Sequence, residues 1–107
     1  MLTCFNLGPD ETIEAFGRSL DRLTASLVER DLLLSTGPVG RRVRHEIMDT
    51  DDERDHEYFF LMNFRDREQC DRAVAYLQSA QTSVDEIHRS VYARVRDPVF
   101  ICWQDLD

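Results

Sequence analysis

Two asparagines, Asn6 and Asn63, interrupt segments that are otherwise apolar. An amide in such a place can orient a bound carbonyl or carboxylate inside a greasy pocket. The same two amides can instead satisfy one another across neighbouring strands or sit at exposed strand ends, and this simpler reading carries more weight; a buried amide without a partner costs about 1–3 kcal/mol. Arg41, Arg42, Arg44 and His45 form a local basic cluster. Strand alternation would put Arg42 and Arg44 on one face and Arg41 on the other. One guanidinium there can clamp an acidic head group through two parallel hydrogen bonds. The alternative, which we favour, is an edge strand protected by charge and neutralised by Asp49, Asp51, Asp52, Glu53 and Asp55. That acidic run, with His56 and Glu57, lacks the glycine and ligand spacing of a calcium loop, so it reads as a solvated hairpin tip and no metal site is expected. No Ser, Cys and His arrangement supports a nucleophilic triad, and no glycine-rich phosphate loop is present.

The elements that must position these groups are marked by apolar periodicity. Glu57 to Phe64 reads as a strand with Tyr58, Phe60, Met62 and Phe64 on one face and Phe59, Leu61 and Asn63 on the other. Val99 to Trp103 repeats the pattern after Pro98. Both faces are apolar, where an antiparallel sheet normally shows water one polar face. Leu2 to Leu7 predicts a first strand. Gly8-Pro9-Asp10-Glu11 predicts a helix start, and Ile13, Phe16, Leu20, Leu23 and Leu27 continue it to about Arg30, a helix roughly 30 Å long. Leu33 to His45 predicts a second strand, which Gly37-Pro38 confines to an edge. Asp66 with Gln69 marks a capping box before a helix carrying Cys70, Ala73, Val74 and Leu77, and Ser83 with Glu86 marks another before Val84, Ile87 and Val91.

The chain of 107 residues is expected to form a single domain, 1–107. It carries 21 acidic residues against 13 basic ones, all arginine, for a net charge of −8. That balance repels phosphate backbones, so nucleic acid is not an expected partner. No run of 18 apolar residues predicts a membrane span, and the first residues carry no secretory signal, so the expected location is the cytoplasm. Cys4, Cys70 and Cys102 form no CxxC pair and read as small buried hydrophobes in a reducing compartment.

The element order, strand, helix, strand, strand, helix pair, strand, predicts an α+β fold. It is a ferredoxin-like βαββαβ four-stranded antiparallel sheet with its helices on one face. RNA-recognition domains share that topology, but Glu57, Tyr58 and Phe60 stand where their third-strand motif needs a basic residue, glycine and a small residue. In length, element order, early first strand and doubly apolar sheet, the chain resembles the dimeric α+β barrel superfamily. The resemblance implies two sheets packed face to face, with pockets inside the barrel or between sheet and helices. The superfamily includes monooxygenases, haem-degrading enzymes, isomerases and polyketide cyclases, so the fold leaves the activity open. Its haem-degrading members place an asparagine, a tryptophan and an axial histidine where Asn6, Trp103 and His88 offer partial counterparts. Trp103 stands on the last strand where those enzymes use the third, and we expect no haem or other cofactor. His88 as an ordinary helix residue is the favoured reading.

These observations lead to an expected homodimer that binds a small apolar molecule bearing a carbonyl or carboxylate. The candidate lining is Phe5, Tyr58, Phe60, Met62, Phe64 and Trp103, with Asn6, Asn63, Arg42, Arg44 and His88 as candidate polar contacts. The resemblance is best matched by a cofactor-independent oxygenase or an isomerase, with Tyr58 or His88 as the proton carrier. The alternative is a dimerisation module without a ligand pocket or catalysis.

Overall fold

The computed structural model describes residues 1–79 and 82–106, the side chains of 82–85 excepted. The elements in chain order are β1 (Leu2–Leu7), α1 (Ile13–Glu29), β2 (Ser35–Thr36), β3 (Gly40–Arg41), β4 (Tyr58–Asn63), α2 (Arg67–Gln78), α3 (Thr82–Tyr92) and β5 (Val95–Ile101). They form an α+β fold in which an open, five-stranded antiparallel sheet runs β2-β4-β1-β5, with β3 also paired to β4.

The sheet departs from the expected four strands at one edge. The second strand expected over 33–45 is two short pieces, because Pro38 has no donor to continue the ladder. The pairing still runs on either side of the break: Leu34 N–H reaches the Asn63 carbonyl at 2.9 Å, Gly37 N–H the Leu61 carbonyl at 2.8 Å and Arg42 N–H the Glu57 carbonyl at 2.8 Å. Thr36 lies opposite Met62 and Gly40 opposite Phe59, so one extra residue bulges from the edge around Pro38. Beyond Arg42 the chain leaves the sheet altogether.

The last strand also differs. It begins at Val95 rather than Val99, with Pro98 inside it, which a strand paired on one side alone tolerates. Its bulge against β1 falls where Asp97 adopts a φ of 54°. It ends at Ile101, so Trp103 lies beyond the sheet and 77% exposed.

Helix α1 starts later than Pro9-Asp10 suggests. Asp10 has a φ of 65° and cannot enter the helix; Thr12 is the N-cap, its hydroxyl accepting from Ala15 N–H at 3.2 Å. The helix closes as a Schellman motif, with Leu32 N–H on the Leu27 carbonyl (2.9 Å), Asp31 N–H on that of Val28 (3.0 Å) and Asp31 in the left-handed position at a φ of 57°. Asp66 caps α2 through Gln69 N–H at 2.8 Å, as its sequence predicts. The Gln69 side chain reaches one residue further back than a capping box requires, accepting from Arg65 N–H at 2.7 Å. The Ser83 box and Val84 lie outside the described side chains.

Phe5, Phe16 and Phe60 form the centre of the core, with ring centroids 4.5 to 5.9 Å apart. Leu20, Leu23 and Leu27 of α1, Ala73 of α2 and Val91 of α3 close around them. Strand β4 divides its side chains between the two sheet faces: Phe60 and Met62 are buried under the helices, while Phe59 and Leu61 are exposed on the other side. No described helix is long and apolar enough to cross a membrane.

Candidate functional site

Among the described residues, a hollow lies on each face of the sheet. The first, about 370 Å³, lies between the sheet and all three helices. Leu23 and Leu27 from α1, Val74 and Leu77 from α2, Met62 from β4 and Phe100 from β5 give it apolar walls. His88 and Tyr92, one helical turn apart on α3, also line it, their rings edge to face at 4.9 Å. Burial pushes the Tyr92 hydroxyl up to about 12, and a second hydroxyl, that of fully buried Thr3, partly opposes the shift. The Thr3 oxygen nevertheless has no hydrogen-bond partner of normal geometry among the described residues. Burial likewise pushes the Cys70 thiol up, reinforced by the nearby Cys102.

The second hollow is an open groove of about 590 Å³ on the face without helices. Leu2, Cys4, Phe59 and Ile101 make its floor, and Trp103 stands at one side. The Phe59 ring closes over Gly40; a Cβ there would come within 2.3 Å of it. The loop after β3 forms the opposite wall and is held by Arg42, whose side chain is 17% exposed. Its guanidinium takes both oxygens of Asp49 (2.8 to 3.2 Å) and the carbonyls of Asp51 (2.6 Å) and Arg54. Arg54 in turn binds Asp51 at 2.6 Å, and Arg44 binds Asp55 at 2.5 Å. Arg42 is thereby spent on its own loop, and its hydrogen bonds to Asp49 raise its already high pKa. His56 donates from Nε2 to the Asp97 carbonyl at 2.7 Å, a role fixed because the carbonyl can only accept. Its Nδ1 is buried without a partner among the described residues.

The residues singled out in the sequence are thus divided between places. Met62, Phe64 and His88 line the hollow between sheet and helices; Arg42, Tyr58 and Trp103 border the groove. Phe60, like Phe5, is fully buried in the core and lines neither. Tyr58 stacks on Phe5 at 5.6 Å, and its hydroxyl accepts from Arg41 at 3.2 Å. The two candidate proton carriers, Tyr58 and His88, consequently do not share a site.

The asparagines do not meet either. The register of β1 on β4 puts Leu2 opposite Leu61 and Phe5 opposite Tyr58, so Asn6 and Asn63 mark opposite ends of the pair, about 20 Å apart along the strand. Asn6 accepts from Glu57 N–H at 2.9 Å and donates to the Asp55 carbonyl at 3.3 Å, while Asn63 donates to the Ser35 hydroxyl at 3.1 Å. Sequence reasoning passed over Tyr92 and Thr3. The spacing of four from His88 was the available signal for Tyr92; nothing local marks Thr3, which is defined by what packs over it.

No protein-family model matches the chain, and no curated protein sequence matches it. Among solved structures the chain is similar to At3g17210 from Arabidopsis thaliana, with a TM-score of 0.71 at 9% identity over 99% of this chain and 93% of that one. At that identity the likeness establishes the fold alone.

Proposed function

We propose that the chain is a cytoplasmic homodimer of the ferredoxin-like dimeric α+β barrel kind that binds a small apolar molecule in the cavity between sheet and helices. The supporting observation is the cavity itself: about 370 Å³, within the usual range for ligand sites, apolar on its walls and bordered by His88 and Tyr92. The pieces β2 and β3 together stand at the edge where the fold's second strand belongs. Three free cysteines suit a reducing compartment. A second copy is the natural cover for the face that exposes Phe59 and Leu61, because a net charge of −8 leaves an uncharged apolar face as the place where like chains meet at least cost. The ligand carries a carbonyl or carboxylate. If the protein is a catalyst, an oxygenase or isomerase without a cofactor, His88 is the proton carrier such a ligand meets, since Tyr58 borders the other hollow.

The groove over Leu2, Cys4, Phe59 and Ile101 favours a second reading, a dimerisation module without catalysis, in which the apolar face is interface alone. Native mass spectrometry of protein purified from cells, repeated on the denatured sample, separates the two. A dimer that releases a small organic molecule on denaturing is the expected result. An empty dimer favours the interface alone, and a monomer in dilute neutral solution overturns both.

A further inference from the structure

Exposed apolar side chains stand on both sides of the groove on the face without helices. At the β5 edge the chain leaves the sheet after Ile101, and Trp103 and Leu106 are 77% and 95% exposed. At the opposite edge the loop after β3 carries Val43, Ile47 and Met48, which are 73 to 78% exposed. Trp103 and Val43 both line the groove, from its two sides. The charges of the loop wall are matched within it, Arg42 with Asp49 and Arg54 with Asp51, so an indole laid on that wall strands no buried ion. Nearby, the side chains of Arg41 and Arg44 are 65% and 55% exposed beyond their contacts with Glu57 and Asp55. They can also meet Asp105, the acid that follows Trp103 in the tail.

We propose that a second copy of this chain covers the open face about a two-fold axis parallel to the strands, and that Trp103 of each subunit seats against Val43 and the loop wall of the other's groove. Such an axis brings the β5 edge of one copy over the β3 edge of the other, so the tail and the loop meet once at each end of the interface. The inference rests on the dimer reading and goes beyond it by naming the anchor, its seat and the direction of the axis. The face is large enough: a standard interface takes about 800 Å² from each partner, and the molecule is 43 × 42 Å across. Tryptophan buries about 150–250 Å² and is over-represented among the few residues that dominate binding energy. An axis perpendicular to the strands would set β5 on β5 and leave the exposed apolar residues of the loop without cover.

The chain contains one tryptophan, so its fluorescence reports this contact without a label. The test is a dilution series in which sedimentation gives the subunit mass and acrylamide quenching gives the accessibility of Trp103. The expected result is a dimer whose indole is shielded and becomes quenchable as the dimer dissociates. Trp103→Ala and Val43→Asp both change exposed side chains, so the fold should survive, checked by an unchanged far-ultraviolet circular dichroism spectrum. Each should weaken the dimer at least about tenfold, and Val43→Asp should restore quenching of Trp103. A dimer whose indole is as accessible as free tryptophan overturns the inference and leaves the dimer standing. Shielding that survives in Val43→Asp overturns the assigned seat. A monomer at every concentration overturns the dimer reading and the inference with it.

Discussion

Gln69 is the most consequential polar residue that does not border either hollow. It is 1% exposed, and its amide bridges two segments: it accepts from Arg65 N–H at 2.7 Å and donates to the Asp31 carbonyl at 3.2 Å. It thereby ties the end of α1 to the start of α2. Gln69→Leu keeps the volume but leaves one main-chain donor and one acceptor without partners, so it should destabilise the fold by about 2 kcal/mol, read as a lower urea midpoint at unchanged slope. The position was legible in the sequence as the third residue of a capping box; its second job was not, because Asp31 lies 38 residues away and only the tertiary fold brings it near. The asparagines illustrate the same limit in reverse. Their polar character stands out in apolar strands, yet register decides whether such groups meet, and a sequence alone carries no register.

At the scale of elements, the long excursion between β3 and β4 is the least regular part of the chain and the most strongly cross-linked by charge. Arg42 reaches Asp49, Asp51 and Arg54 together, a geometry that a planar fork with several donors allows and a single ammonium does not. Arg42→Lys should therefore loosen residues 43–56, seen as faster amide exchange and new cleavage by protease within that segment. Protection in β1 and β4 should be unchanged. The acid-rich composition and the arginines opposite it were visible as a neutralised edge, and the strands that alternate cleanly, β1 and β4, were legible almost to the residue. The edge pieces were not. Pro38 signals a difficulty, but whether the chain answers with one strand or with two around a bulge depends on what β4 offers beside it. The start of α1 was misplaced for a comparable reason: Pro9-Asp10 has the composition of a first helical turn, while the left-handed backbone at Asp10 makes Thr12 the true cap.

The whole molecule measures 43 × 42 × 19 Å, a plate with helices on one side only. Its charge pattern bears on acid stability. Hydrogen bonds from Arg65 and Arg54 hold the carboxyls of Asp31 and Asp51 below the ordinary carboxylate range. A carboxylate whose pKa is lower in the folded state adds stability that is present above the unfolded value, near 4, and disappears as pH falls through the lowered folded value. Wild type and Asp31→Asn should therefore differ in thermal midpoint at pH 6 and converge below about pH 3; both groups are solvent-exposed, so the difference is small and salt reduces it. The asymmetry of the plate was foreseeable from two doubly apolar segments. The hollow between sheet and helices was not, because it arises from where α2 and α3 come to rest against the sheet, and no local pattern encodes that distance.

Strand β4 has one further consequence, and it concerns how the chain finds its fold. Phe60 and Met62 are buried while Phe59 and Leu61 are exposed, yet the two pairs are nearly equal in size and greasiness. In most half-buried strands a slip of one residue would force polar groups into the core, and that penalty alone selects the correct alignment. Here a slipped β4 would bury Phe59 and Leu61 almost as well, so hydrophobicity is close to indifferent between the two alignments. Discrimination falls to the ends of the strand: the Asn6 amide on Glu57, the Asn63 amide on Ser35, the ammonium of Met1 on Met62, and the glycine that alone leaves room beneath the Phe59 ring. Those contacts act as a proofreading device, rejecting a misaligned sheet that the core by itself would accept.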